Sequence, residues 1–196
     1  IDNGFKTMDA LAIAEESDYE RVKGEISKDT FNKLRKQAAL QIKGEQQQKL
    51  LFELKDPSLL AVIPASSEGD IWFDMEGDPY SGTEGLEYMF GFLYKENNQF
   101  QFKTIEAETK AKEKQAFIDF IKFVLERRKQ YPDMHVYHYA AYESATILRL
   151  AQRYGTLEKE VDTLKREGVL VDLLNVVRST LRFSSDSLSI KAIEEA

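Results

Sequence analysis

The chain has 196 residues, 42% of them hydrophobic, enough for one domain of ordinary size with a smaller appendage. It contains no cysteine and only two histidines, His135 and His138, which excludes disulfides, thiolate zinc sites and His-rich metal sites. The net charge of −7 argues against a protein that coats nucleic acid without regard to sequence, and no apolar run approaches the roughly 20 residues of a membrane span. The N-terminus lacks the basic-then-apolar layout of a signal peptide, so the expectation is a soluble cytoplasmic protein with no membrane partner.

Residues 1–58 read as a small helical piece. Phe5 to Ala12 suggests a short helix capped near Thr7 or Asp9 and entered through Asn3-Gly4. Ser27 or Asp29 caps a second helix, in which Phe31, Leu34, Ala38 and Ile42 recur at helical spacing and Lys33, Arg35, Lys36 and Lys43 take the exposed side. The turns at Asn3-Gly4-Phe5 and Lys23-Gly24-Glu25-Ile26 have the form of helix-hairpin-helix units, which hold a DNA phosphate on backbone N–H groups. A packing helix pair or a linker is the commoner explanation of such a piece and is preferred to it. Leu50 to Leu54 is a candidate short strand between loops marked by Gln46-Gln47-Gln48 and Asp56-Pro57.

The main domain is expected over residues 59–196. Ile71 to Met75 alternates as a strand that runs into Gly77-Asp78-Pro79, where it stops. Glu87 to Tyr94 follows as a second strand, Glu96-Asn97-Asn98 as a hairpin turn, and Gln99 to Ile105 as a third strand. In that third strand Phe100 and Phe102 alternate with Gln99, Gln101 and Lys103, so one of its faces is wet. Lys110 to Gln130 is a helix with an apolar stripe of Phe117, Ile121 and Val124, joined by Ile118, Phe120 and Leu125, and Pro132 ends it. Met134 to His138 reads as a fourth strand, Tyr142 to Tyr154 as a helix closed by Gly155, Leu157 to Arg166 as a short helix, and Val169 to Val171 as a fifth strand. Asp172 to Leu181 and Ser189 to Ala196 read as helical. Three antiparallel strands followed by helix, strand, helix and strand, with the fourth strand returning parallel beside the first, is an α/β mixed sheet of the ribonuclease H-like layout, preceded by the small helical segment.

Period-two alternation puts Trp72, Asp74 and Glu76 on one face of the first strand and Ile71, Phe73 and Met75 on the other. Two carboxylates a strand-repeat apart on a buried strand repel unless a positive charge lies between them, and a divalent ion held by oxygen is the economical source. Mg²⁺ or Mn²⁺ suits such donors. A lone Asp-x-Glu is also explained by solvated acids on an edge strand. Glu143 lies in the first turn of the helix after the fourth strand, where complementing the helix dipole would suffice for it alone. Parallel pairing of the fourth strand with the first brings that helix start beside Asp74 and Glu76.

Over roughly Leu60 to Ala196 the chain resembles the RNase H-like domain of the YprB type, found fused with RecB-like nuclease and helicase segments, and is more distantly similar to the DEDD 3′–5′ exonucleases. The match rests on Phe73 to Pro79, His138-Tyr139-Ala140-Ala141-Tyr142-Glu143, Val171-Asp172-Leu173 and Ser187 to Glu194. The resemblance implies a nuclease that hydrolyses phosphodiester bonds, 3′–5′ on single-stranded DNA or RNA, in DNA repair or processing. It implies a two-metal Mg²⁺ or Mn²⁺ site with Asp74 and Glu76 as the first motif and Glu143 standing where the superfamily usually has Asp. Fused nuclease or helicase domains in a parent protein are implied as partners. The family's last acidic motif, Tyr-Asn-x-x-Asp on a helix, does not occur among these residues, so the domain is expected to be truncated before it and the chain weakly active or inactive. Asp172 is the remaining acid that competes for a ligand role, against a capping role at a helix head. Trp72, Tyr139 or Tyr142 would stack on a terminal base. His138 and Tyr139 line the strand end as positioning or packing residues, and Lys191 would meet a phosphate or simply be an exposed helix lysine. The rival expectation is a non-catalytic nucleic-acid- or partner-binding module with a degenerate form of the fold.

Overall fold

The computed structural model describes residues 5–194. The expected turn at Asn3-Gly4 and the end of the last expected helix, at Ala196, lie outside these residues. Thr7 caps α1 (Met8–Ala12), its hydroxyl accepting from the Ala10 N–H, and a 3₁₀ turn over Glu16–Arg21 follows. The chain then turns on the Val22 carbonyl, which accepts from the Glu25 and Ile26 N–H groups. Ser27 is the N-cap of α2 (Lys28–Gln47), accepting from the Thr30 N–H. The helix buries Phe31, Ala38 and Leu40, whereas Leu34, expected in the stripe, is exposed. The buried stripe follows Phe31, whose ring meets Phe5 and Tyr19 in a small core with Ala14 and Val22. The expected strand after α2 is limited to β1 (Phe52–Leu54).

The sheet begins with β2 (Ile71–Asp78), β3 (Leu86–Glu96) and β4 (Gln99–Glu106). The turn between β3 and β4 uses Asn97 and Asn98 in the left-handed region, as a two-residue hairpin loop with matching twist requires. Thr109 caps α3 (Lys110–Gln130), and β5 (Val136–His138), α4 (Tyr142–Tyr154), α5 (Glu158–Arg166) and β6 (Leu170–Asp172) follow. Gly155, at φ 56°, closes α4. The last elements are α6 (Leu173–Thr180), β7 (Leu181–Phe183) and α7 (Ile190–Ile193). Where one helix through Leu181 was expected, the chain turns extended at Leu181 because β7 pairs with β1.

The strand order of the larger sheet is β4-β3-β2-β5-β6; β3 is antiparallel to both β2 and β4, while β5 is parallel to both β2 and β6. This is the mixed α/β sheet expected from the element order. Its core joins Ile71, Phe73, Met75, Phe90 and Phe92 to Phe117, Phe120, Ile121 and Val124 of α3 and to Ile147, Leu150 and Ala151 of α4. Phe73 stacks on Phe120 with ring centroids 4.0 Å apart. On β4 the wet face is the phenylalanine one. Phe102 pairs with Leu93, which pairs with Trp72, so this row lies on the face opposite Phe73, and both Phe100 and Phe102 are exposed. Lys103, on the other face, lies over the Phe92 and Phe123 rings.

Two compact units result, one of residues 61–176 and one joining residues 1–60 to residues 177–196. In the larger unit a buried carboxylate, Glu113, secures the start of β3 and the helix ends beside it. Its oxygens accept from the Glu87 N–H at 2.6 Å, from Lys110 and Arg153, and from the Tyr154 hydroxyl. Burial pushes this carboxyl up, but the Tyr154 hydroxyl, the Glu87 N–H and the Lys110 ammonium outweigh it and hold it below the usual glutamate range. A depressed folded-state value means that the carboxylate stabilises the fold above its unfolded pKa of about 4.3 and loses that contribution as pH falls through the folded value. Glu113→Gln is therefore expected to lower the melting temperature at neutral pH and to show a shallower loss of melting temperature on acidification below about pH 4.3. Parallel acid-melting curves for the two proteins, followed by circular dichroism, check this.

Candidate functional site

The site is built from the C-terminal ends of the parallel strands β2, β5 and β6 and the first turns of α4. Trp72, Asp74 and Glu76 occupy the exposed face of β2 while Ile71, Phe73 and Met75 are buried, as the alternation requires. Neither the Asp74 nor the Glu76 carboxylate makes a hydrogen bond or ion pair with any described residue. The residue directly across from Asp74 on β3 is Gly91, so no side chain crowds the carboxylate from that strand.

β5 ends at His138, which stands in register with Asp172 at the end of β6. The His138 Nδ1–H donates to the Ala140 carbonyl at 2.7 Å. Ala140 has φ 73°, a left-handed conformation that costs a residue with a Cβ free energy and persists only when its neighbours hold it. Asp172 supplies that hold. Its Oδ1 accepts from the Ala140 N–H at 3.0 Å and from the Leu174 N–H at 2.9 Å, and its Oδ2 accepts from the Asn175 amide at 2.9 Å. Asp172 thus caps α6 and clamps the loop that delivers α4.

Glu143, in the first turn of α4, is buried, and its Oε2 has no hydrogen-bond partner among the described residues. The nearest imidazole nitrogen, His138 Nδ1, is 3.6 Å away and already donates to Ala140. A buried carboxylate oxygen without a donor is costly and calls for a specific explanation.

Beside these acids lies a cleft of about 490 Å³, lined by Glu76, Gly77, Asp78, Glu84, Glu87, Tyr142 and Arg149 among others. Buried Glu87, at the start of β3, accepts from the Tyr142 hydroxyl at 2.7 Å and from Arg149 at 2.5 Å. Burial, and then the Glu87 carboxylate, push the Tyr142 hydroxyl up to about 12, so it stays protonated and donating at neutral pH. The register of β2 against β3 slips between Glu76 and Gly77, setting Gly77 opposite Glu87. A Cβ at Gly77 would stand 2.3 Å from Glu87 Oε2 and 2.5 Å from the Tyr142 hydroxyl.

The remaining expected residues fall in three places. Trp72 is partly exposed on the open face, stacked with Tyr137 at 6.2 Å and edge-on to Phe100 at 5.8 Å. Tyr139 is half-buried in the loop between His138 and Ala140. Lys191 is exposed on α7, in the other compact unit. Glu87 and Arg149 were not expected at the site, and Gly77 was expected only as the point where the first strand stops. Arg149 falls seven residues after Tyr142, on the same helical face, and that spacing was the available signal. Glu87 carried none, because its partnership depends on the bulge at Gly77.

Among the described residues no group of three His, Asp or Glu side chains is gathered closely enough to hold a metal ion. The donor chemistry does fit a hard divalent cation. Asp74 and Glu76 are uncommitted anionic oxygen donors on one face, and the Glu143 Oε2 is a buried oxygen whose missing partner a cation would supply. Asp172 fits less well, since both its oxygens are engaged.

A family described as the RNase H superfamily matches residues 71–196, which takes in β2 with its two acids, Glu143 and Asp172. No curated protein and no solved structure matches the chain.

The tight seat of Gly77 gives a direct test of the cleft. Gly77→Ala forces its new methyl into Glu87 and Tyr142, so a destabilisation of about 1–3 kcal/mol is expected, of the size of other overpacking substitutions. Gly82→Ala meets nothing within 4 Å, and its cost comes from its positive φ alone. Urea unfolding of the two variants separates the steric cost from the backbone one.

Proposed function

Given that the chain belongs to the RNase H superfamily, a fold of the nuclease type, we propose that it is a metal-dependent nuclease domain of the YprB kind, acting 3′–5′ on single-stranded DNA. The observation that carries this reading is the contrast between the acids. Among the described residues the Asp74 and Glu76 carboxylates and the inner oxygen of Glu143 have no hydrogen-bond partner, while the buried acids Glu87 and Glu113 beside them are bonded.

Asp74 and Glu76, with Glu143, would hold a divalent ion such as Mg²⁺ or Mn²⁺. When bound, such an ion supplies Lewis acidity that stabilises charge developing on the scissile phosphate. The chain's own groups set the geometry around it. Asp172 fixes the Ala140 turn, and with it the start of α4 and the carboxylate of Glu143. His138, with its Nδ1–H committed to the Ala140 carbonyl, is a positioning residue rather than a base. Trp72, already stacked on Tyr137, offers an exposed ring on the same strand face as the acids for a terminal base. Tyr142, kept protonated beside Glu87, and Arg149 present donors in the cleft into which Glu76 projects. Tyr139 stands in the turn between His138 and Ala140, and Lys191 remains a candidate phosphate contact. Fusion to RecB-like nuclease or helicase segments would supply the strand.

The engagement of Asp172 in three hydrogen bonds favours one alternative. Without a fourth free carboxylate the domain would bind nucleic acid or a partner protein and hold at most one cation weakly.

Two measurements decide between them. Asp74→Asn with Glu76→Gln should abolish Mn²⁺ binding in titration calorimetry and leave the melting temperature unchanged or raised, because like-charge repulsion is relieved. Divalent-dependent shortening of a 5′-labelled strand, absent in the same variant, supports hydrolysis. Mn²⁺ binding that survives the double substitution overturns the site.

A further inference from the structure

The smaller unit carries a second polar concavity that no step above uses. It is a groove of about 300 Å³ between α2 and the β1–β7 ribbon. Three cations line it: Lys55 after β1, Arg178 near the end of α6, and Arg182 on β7. The Lys55 ammonium donates to the backbone carbonyl of Arg178. Arg182 is mostly buried and reaches Glu53 at 3.3 Å. The Arg178 guanidinium makes no hydrogen bond or ion pair with any described residue.

One acid, Asp186, also lines the groove, and its carboxylate accepts from the Gln41 amide at 2.5 Å. Three cations against the Asp186 carboxylate and the Glu53 carboxylate paired to Arg182 leave a local positive excess in a chain of net charge −7. Repulsion there is not fully relieved from within: burial, and then Arg182 and Lys33, push the Lys55 ammonium down from the ordinary lysine value. The anion that would relieve it enters an open concavity and meets donors of two kinds, a planar guanidinium suited to bidentate contact and an ammonium point charge. Those are the donors that phosphate oxygens take.

The basic residues singled out on α2 are a poorer candidate. Lys33 is paired with Asp29 at 2.6 Å, and Arg35 is turned inward to Asn32 and the Ala14 carbonyl.

We propose that this groove is a phosphate-binding seat for single-stranded nucleic acid, with Lys55 and Arg178 as its contacting cations and Arg182 as the buried charge behind them. The proposal rests on the nucleic-acid reading above but on none of its site residues. A strand held here is bound by its backbone, without regard to sequence, and binding is salt-dependent.

The test uses the full chain in EDTA, so that no hydrolysis occurs, with a fluorescein-labelled oligothymidylate followed by anisotropy over a series of salt concentrations. The Lys55→Gln, Arg178→Gln double variant is expected to flatten the plot of log affinity against log salt by roughly 0.7 per contact, about 1.4 in all. Arg178→Lys, which keeps the charge, should restore its share of the slope. If the double variant loses its native circular dichroism, Arg178→Gln alone carries the test, since that side chain is exposed and bonds no described residue. Unchanged affinity and slope in the variants overturn the seat, and so does a failure of the unsubstituted chain to bind at low salt. Cleavage with Mn²⁺ is scored separately. A chain that binds through the groove and cuts nothing keeps the seat and loses the nuclease reading, while one that cuts but binds identically in the variants does the reverse.

Discussion

The stack of Phe73 on Phe120, with Phe90 and Phe92 around it, decides which way β2 faces, and the site depends on that choice. Side chains on a strand alternate, so a slip of one residue would carry Asp74 and Glu76 into the aromatic core and expel Phe73 and Met75. Each large apolar side chain held inside contributes about 1.5–3 kcal/mol by burial, and burying an unpaired carboxylate costs more still. The register is therefore fixed from the apolar side, and the acids are exposed as its consequence. Buried Asp70 steadies the other end of the strand, accepting from the Ser67 N–H and from the His135 N–H at the entrance to β5. The parallel alignment that brings α4 up to the acids begins there.

The treatment of carboxylates elsewhere in this unit gives Glu143 its meaning. Asp70 has two backbone donors, Glu87 has a phenol and a guanidinium, Glu113 has four kinds of donor, and the half-buried Asp172 has three hydrogen bonds. A chain that satisfies these acids so completely leaves the Glu143 Oε2 bare at the mouth of the parallel strands. His138 would be the natural partner, but its nearest nitrogen is turned to the Ala140 carbonyl, and the left-handed Ala140 backbone is held by that bond and by the one its N–H donates to Asp172. The geometry of the turn thus withholds from Glu143 the donor nearest to it.

Much of this was legible from local rules. The alternation of β2, the stripe of α3 and the Gly155 stop of α4 depend on neighbours within one element, and each element formed within a residue or two of its expected bounds. The features that were not legible depend on contacts across the chain. Strand alternation could separate the two faces of β4 but could not say which one meets α3, and pairing through Leu93 to Trp72 turned Phe100 and Phe102 outward. Leu34 obeyed the helical period but is exposed, because the small core at that end of α2 is centred on Phe31 and filled by Phe5, Leu11, Tyr19 and Ile26. The cleft required a bulge at Gly77, and nothing in a Gly-Asp-Pro sequence distinguishes a strand that stops from one that slips and continues.

The same limit explains the smaller unit. Phe52–Leu54 and Leu181–Phe183 are three-residue strands, too short to persist without each other and a helix to pack on. Gly44 of α2 approaches Ser184 so closely that a Cβ would lie 2.5 Å from its hydroxyl oxygen, and Ser184 in turn bonds the Leu51 backbone in both directions. Gln37 closes the contact by donating to the Phe183 carbonyl. Residues more than a hundred positions apart therefore make one ribbon: its β1 half lies within the strand expected over Leu50 to Leu54, but the β7 half, expected as the end of a helix, exists only through its partner and leaves no periodicity of its own to read. The cations of the groove share that origin: Lys55 lies more than a hundred positions from Arg178 and Arg182, and the pairing of β1 with β7 is what sets them around one concavity.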